Sequence, residues 1–141
     1  MTRSLRLLTL FALSLSTLLL FGCDTGDDDD AADDSDATLA SLVIHDVADD
    51  ADLVLDPAFD PDVTDYTAEA SAQGVVLEVS GTTSQPVFIV VVNGATADYP
   101  DNNSFEGISS LNLSAPETVT VGVTAPDGQT TLVYTVEVTA P

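Results

Sequence analysis

Carboxylates are the only abundant reactive groups in this chain, which carries 24 Asp and Glu against two Lys and Arg, one His and one Cys. After residue 37 eleven of the 16 gather in three runs: Asp46, Asp49, Asp50 and Asp52; Asp56, Asp60, Asp62 and Asp65; and Asp98, Asp101 and Glu106. Hard oxygen donors in turn-rich segments suit calcium, which takes six to eight of them. None of the runs has the Gly-centred D-x-[DN]-x-[DN]-G spacing of a calcium loop. The competing reading is that each aspartate caps the backbone of its own turn and keeps the surface soluble. The expectation is no required cofactor, with calcium at Asp46, Asp49, Asp50, Asp52, Asp56, Asp60, Asp62 and Asp65 as the one metal alternative.

His45 is the single imidazole, so any serine-hydrolase or histidine-metal chemistry would have to pass through it. No G-x-S-x-G elbow, H-E-x-x-H helix or phosphate loop accompanies it. A glycosidase needs only two carboxylates and no histidine. A domain this small offers no aromatic-lined cleft for a sugar, and the expectation is that the protein is not an enzyme. Nucleic acid is excluded as a partner of the acidic portion, which has no cation to meet a phosphate.

Cys23 is the third reactive group, and its place in the chain is distinctive. Arg3 and Arg6 are the only Lys or Arg and precede it, the stretch from Leu7 to Gly22 is almost wholly apolar, and every acid follows it. A positive start, an apolar middle and a small residue at the end make an export signal. Leu20-Phe21-Gly22-Cys23 resembles the lipobox of bacterial lipoprotein signal peptides, departing from it at Phe21. The resemblance implies that Cys23 is lipidated and becomes the first residue of the mature protein. The alternative is an uncleaved membrane anchor, but 16 residues at about 1.5 Å each reach about 24 Å, short of a hydrocarbon core of about 30 Å. Either way the arginines stay cytoplasmic and the acidic part goes out. The expected location is extracytoplasmic, anchored to the cell membrane or outer membrane.

The elements that must position these groups begin after a spacer. Residues 24 to 37 hold eight acids and no large apolar side chain, a composition that cannot bury enough surface to order itself. The expected organisation is therefore a signal peptide at 1–22, a lipidated Cys and acidic flexible linker at 23–37, and one folded domain at 38–141. From Thr38 the hydrophobic period is that of strands. Strands are expected at Leu39 to Ile44, Leu53 to Leu55, Tyr66 to Ala70 and Val75 to Val79. Val87 to Val92 reads as a central strand, and Asn93-Gly94 as the turn after it. A loop is expected around Tyr99 to Gly107 and a short strand at Leu111 to Leu113. Val119 to Ala125 and Leu132 to Val138 form a hairpin about Pro126-Asp127-Gly128. About seven strands with almost no helix predict an all-β, immunoglobulin-like antiparallel sandwich.

The order of motifs resembles the cadherin-like β-sandwich domain of bacterial surface proteins over roughly residues 38 to 140. It is carried by Leu39 and Leu42, by Pro57, Phe59 and Tyr66, by Asn93-Gly94, and by Val123-Thr124-Ala125-Pro126-Asp127-Gly128 with Tyr134-Thr135-Val136-Glu137-Val138. Leu113-Ser114-Ala115-Pro116-Glu117 departs from the family's usual Leu-x-x-Gly-x-Asn. The resemblance implies a non-catalytic envelope module for adhesion, scaffolding or ligand binding, held to the membrane by its N-terminal lipid and meeting an envelope protein or glycan. A calcium-dependent carbohydrate- or protein-binding module is the alternative, and a small hydrolase the remote one.

Overall fold

The computed structural model describes residues 33–87, 89–99 and 101–141, all in strands, turns and loops without helix. Cys23, the segment 1–22 and the linker as far as residue 32 lie outside the described residues. Nine strands follow in order: β1 (Leu39–Asp46), β2 (Ala51–Asp52), β3 (Asp65–Glu69), β4 (Val76–Thr83), β5 (Ile89–Val92), β6 (Ala95–Thr96), β7 (Ser104–Ser110), β8 (Glu117–Thr124) and β9 (Thr131–Thr139). They form two sheets, ordered β2-β1-β4-β7 and β3-β9-β8-β5-β6.

Period-two alternation builds the core. Leu42 and Ile44 of β1, Leu77 and Val79 of β4, Val119, Val121 and Val123 of β8, and Tyr134, Val136 and Val138 of β9 are all buried. Their neighbours point to the opposite faces, as the pleat requires. The two inner faces therefore meet as one apolar layer, the arrangement of a sandwich. The Asn93-Gly94 turn has φ of 46° and 82°, and Gly128 has φ of 66°. Both turns thus use the left-handed conformation that their sequences favour.

Two tyrosines tie loops to this core. The buried Tyr134 hydroxyl accepts a bond from the Leu39 amide at 2.9 Å and donates to the Pro61 carbonyl at 3.2 Å. It thereby links β1 of one sheet to β9 of the other. The Tyr66 hydroxyl reaches the carbonyls of Asp60 and Val63, each at 2.7 Å, and its ring stacks on Phe59 with centroids 6.0 Å apart. The Pro57-to-Tyr66 segment is therefore a loop closed by its own aromatic residues.

The structure departs from the sequence expectation in four places. Although the sandwich was expected to be antiparallel throughout, β3 runs parallel to β9, so the second sheet is mixed. Leu53 to Leu55 is not a strand: β2 is Ala51–Asp52, and Leu53 adds one amide bond to the Ile44 carbonyl. The apolar run Val87 to Val92 is not central either. Its strand begins at Ile89, lies between β8 and the two-residue β6, and buries only Val90 and Val92, because its other face is outside the sandwich. Leu111 to Leu113 is an extended loop that buries both leucines, and the strand is β7, within and beyond the expected loop. Sequence hid β7 because its inward residues are Phe105, Gly107 and Ser109, of which only one is large and apolar.

Both long edge strands are covered at one point by a crossing segment. Asp56 exchanges two backbone bonds of 2.9 Å with Thr67 of β3, and Asp98 exchanges bonds of 2.8 and 2.9 Å with Glu106 of β7. Glycine permits a second kind of closure. A Cβ on Gly107 would lie 2.8 Å from a methyl of Val92, and one on Gly81 would lie 2.3 Å from the Ser41 carbonyl oxygen. The latter contact falls next to the irregularity in the β1–β4 register between Leu39 and Ser41.

Substituting Gly81→Ala should therefore destabilise the fold by about 1–3 kcal/mol through overpacking. Gly122→Ala, whose Cβ would meet nothing closer than the Val91 carbonyl at 3.9 Å, should stay within about 0.5 kcal/mol. Urea midpoints followed by circular dichroism measure both, and equal midpoints would show that the β1 irregularity absorbs the methyl freely.

Candidate functional site

The acids sort by strand parity and by loop. Asp46 ends β1 on its inner face and is fully buried. One of its carboxylate oxygens accepts from the Ala48 amide at 3.0 Å and the other from the Ser71 hydroxyl at 2.9 Å. Burial pushes its carboxyl up, but the Ser71 hydroxyl and the amides of Ala48, Asp49 and Ser71 together hold it below the usual carboxylate value. Asp46 thus fastens the β1–β2 loop to the loop after β3.

Around it opens a cleft of about 670 Å³ at one pole of the sandwich, lined by Asp46, Asp49, Asp52, Asp56, Glu69 and Ser71. Leu53, Val54, Ala68 and Ala70 supply its apolar wall, and Val54 is 84% exposed. Four of the eight aspartates read as calcium candidates therefore share one cleft. Glu69 and Ser71 join them although the sequence did not single them out. The alternation of Tyr66 to Ala70 put Glu69 on a polar face, but nothing local showed which loop that face would meet.

The other four candidates lie elsewhere. Asp50, with φ of 52°, turns back toward His45. Asp60 accepts from the Asp62 amide at 3.0 Å within the loop under Tyr66. Asp65 lines a second cleft with Asp56, Pro57, Thr118 and Glu137, and accepts from the Thr135 hydroxyl at 2.7 Å. Of the third run, Asp98 and Glu106 are bridged through their backbones. Asp101 caps the amides of Asn103 and Ser104 at 3.0 and 2.8 Å, which hold its carboxyl below the ordinary value. Among the described residues no group of three or more His, Cys, Asp or Glu is arranged to hold a metal ion.

His45, next in sequence to Asp46, faces the opposite way. It stands on the outer face of the first sheet, paired across strands with Glu78. Its Nδ1 lies 2.9 Å from an Asp52 carboxylate oxygen, and its Nε2 lies 3.6 Å from Asp50. The Asp52 hydrogen bond first, with the charges of Asp52, Asp50 and Glu78 behind it, raises the imidazole above its ordinary value. Among the described residues no hydroxyl is hydrogen-bonded to this ring. The Ser71 hydroxyl that does meet a carboxylate meets Asp46, on the inner face. The ring is thus a clasp between acids on the outer face, away from that hydroxyl.

An all-β sandwich of two facing sheets defines an immunoglobulin-like module. The model of the cadherin-like beta sandwich domain matches residues 39–140, and the chain belongs to that family. No curated protein and no solved structure matches it.

The clasp has a calculable pH signature. The His45 value is higher folded than unfolded, so its stabilisation is fully present below the ordinary imidazole value of about 6.5 and is lost as pH rises through the raised value. His45→Gln should lower the melting temperature at pH 6 and leave it nearly unchanged at pH 9. Thermal melts of both proteins across that range test it, and a loss independent of pH would assign His45 to packing alone.

With the aspartates dispersed or already capping amides, calcium should raise the melting temperature gradually, as added salt does, by screening self-repulsion. Calorimetric titration should show no saturating stoichiometric endpoint. A sharp endpoint lost in Asp49→Asn or Asp52→Asn would instead make the polar cleft a metal site.

Proposed function

We propose that this protein is a non-enzymatic binding or adhesion module, carried outside the cytoplasm on a lipid attached to Cys23. The observation that carries the reading is the family match over residues 39–140, which covers nearly all of the chain after the acidic segment. Domains of this family are typically non-catalytic surface modules, and this one follows an acidic segment. The sequence division at Cys23 supports the anchor: cations and an apolar stretch before it, only acids after it. Several acyl chains on one cysteine would hold the module firmly, since each buried methylene contributes about 0.8 kcal/mol.

An envelope protein or a glycan is the partner class in this reading. The polar cleft around Asp46, Asp49, Asp52, Asp56 and Glu69 is its first candidate contact. No lysine or arginine lies near those acids in the sequence, so a partner would present its own cations or hydroxyls there.

Intact mass spectrometry of membrane-extracted protein tests the anchor. The expected species begins at Cys23 and carries the added mass of a diacylglyceryl group and an acyl chain, and Cys23→Ala abolishes it. Recovery of an unmodified chain that still begins at Met1 would overturn the anchor while leaving the domain assignment untouched.

A further inference from the structure

The last residues before β1 are bound to the sandwich at several points. The Asp34 carbonyl accepts from the Asp127 amide at 2.9 Å, in the turn that joins β8 to β9. The Gln85 side-chain amide donates to the carbonyls of Asp33 and Asp36, and the Ser84 hydroxyl donates to the Asp36 carboxylate at 2.7 Å. Asp36 also accepts from the Thr38 amide at 2.8 Å. Burial raises its carboxyl, and the bonds from Thr38 and Ser84 outweigh that and hold it low. Ala37 is buried in the core.

From these contacts we infer that Asp33–Ala37 is a strap that fixes the direction in which the chain enters the sandwich. Its anchors lie in two separate connections: Ser84 and Gln85 in the loop from β4 of the first sheet to β5 of the second, and Asp127 in the β8–β9 turn of the second. A segment held at two separate loops cannot swivel about a single bond. The bonds hold the segment in place although Asp36 and Asp127 bring like charge toward Asp33.

Orientation follows from the strands. β1, eight residues long, starts beside the strap at Leu39 and ends at Asp46, about 23 Å away at about 3.3 Å per residue step. Asp46 lines the cleft with Asp49, Asp52 and Glu69. The strap and that cleft therefore sit at opposite ends of β1. The inference stands on the folded part alone and holds whether or not Cys23 is lipidated.

Amide hydrogen exchange of the full chain, read by NMR, tests it. The Asp127 amide should be protected, and the double substitution Ser84→Ala, Gln85→Ala should speed its exchange at least tenfold while Val121 and Val136 stay protected. Should the double variant lose core protection, the single change Gln85→Glu, which replaces the donor with an acid of similar size, is expected to give the same selective loss. Exchange of Asp127 at the free-peptide rate in the unaltered chain would overturn the strap. So would protection that persists in the folded variants.

Discussion

The folded part of this protein has to hold its carboxylates without lysine or arginine, and that constraint shapes the loops that carry them. Its sequence after Cys23 contains neither residue, so the usual ion pairs are unavailable and amides and hydroxyls take their place. Asp46 is held by Ala48 and Ser71, Asp36 by Thr38 and Ser84, Asp101 by Asn103 and Ser104, and Asp127 by Gln129 and Thr130. Charge-assisted bonds of this sort are stronger than neutral ones, and each also fixes the shape of a turn. The acids thereby become structural parts, and His45, set between Asp50 and Asp52, is the one basic side chain among the described residues.

Cohesion itself comes from elsewhere. Valine-rich alternation on β8 and β9 faces Leu77, Val79 and Ile44 on the other sheet, and Tyr134 stitches the two together through the Leu39 amide. No buried side-chain nitrogen or oxygen among the described residues lacks a partner. Since an unpartnered buried polar group is costly, this leaves apolar burial free to hold a domain that has no disulfide among its described residues.

How far the sequence revealed this depended on the signal each segment carried. Val119 to Val138 was legible because period and turn residues agreed, and Asn93-Gly94 because its chemistry permits one kind of turn. β7 was not, because Gly107 and Ser109 replace apolar residues where β7 approaches Val92 and Asn93. Val87 to Val92 misled in the opposite sense, since apolar residues on both faces do not reveal whether both faces are covered. The parallel pairing of β3 with β9 is a matter of topology, which local periodicity does not encode. For the candidate site, sequence assembled the aspartates by proximity along the chain, whereas strand parity separates His45 from Asp46, and folding brings in Glu69 from a distant strand.

The two short bridges, Asp56 to Thr67 and Asp98 to Glu106, bear on how such modules behave when packed densely. An open strand edge is a template on which another chain can extend a sheet, and crowding on a surface multiplies those encounters. Here the outward amides and carbonyls of Thr67 and Glu106 are already used, each near the middle of its edge strand. At these two edges a neighbouring copy would find only short uninterrupted runs of free backbone. In a chain rich in valine strands, two loops thus return across the sandwich's own margins and shorten the edges it offers to other copies.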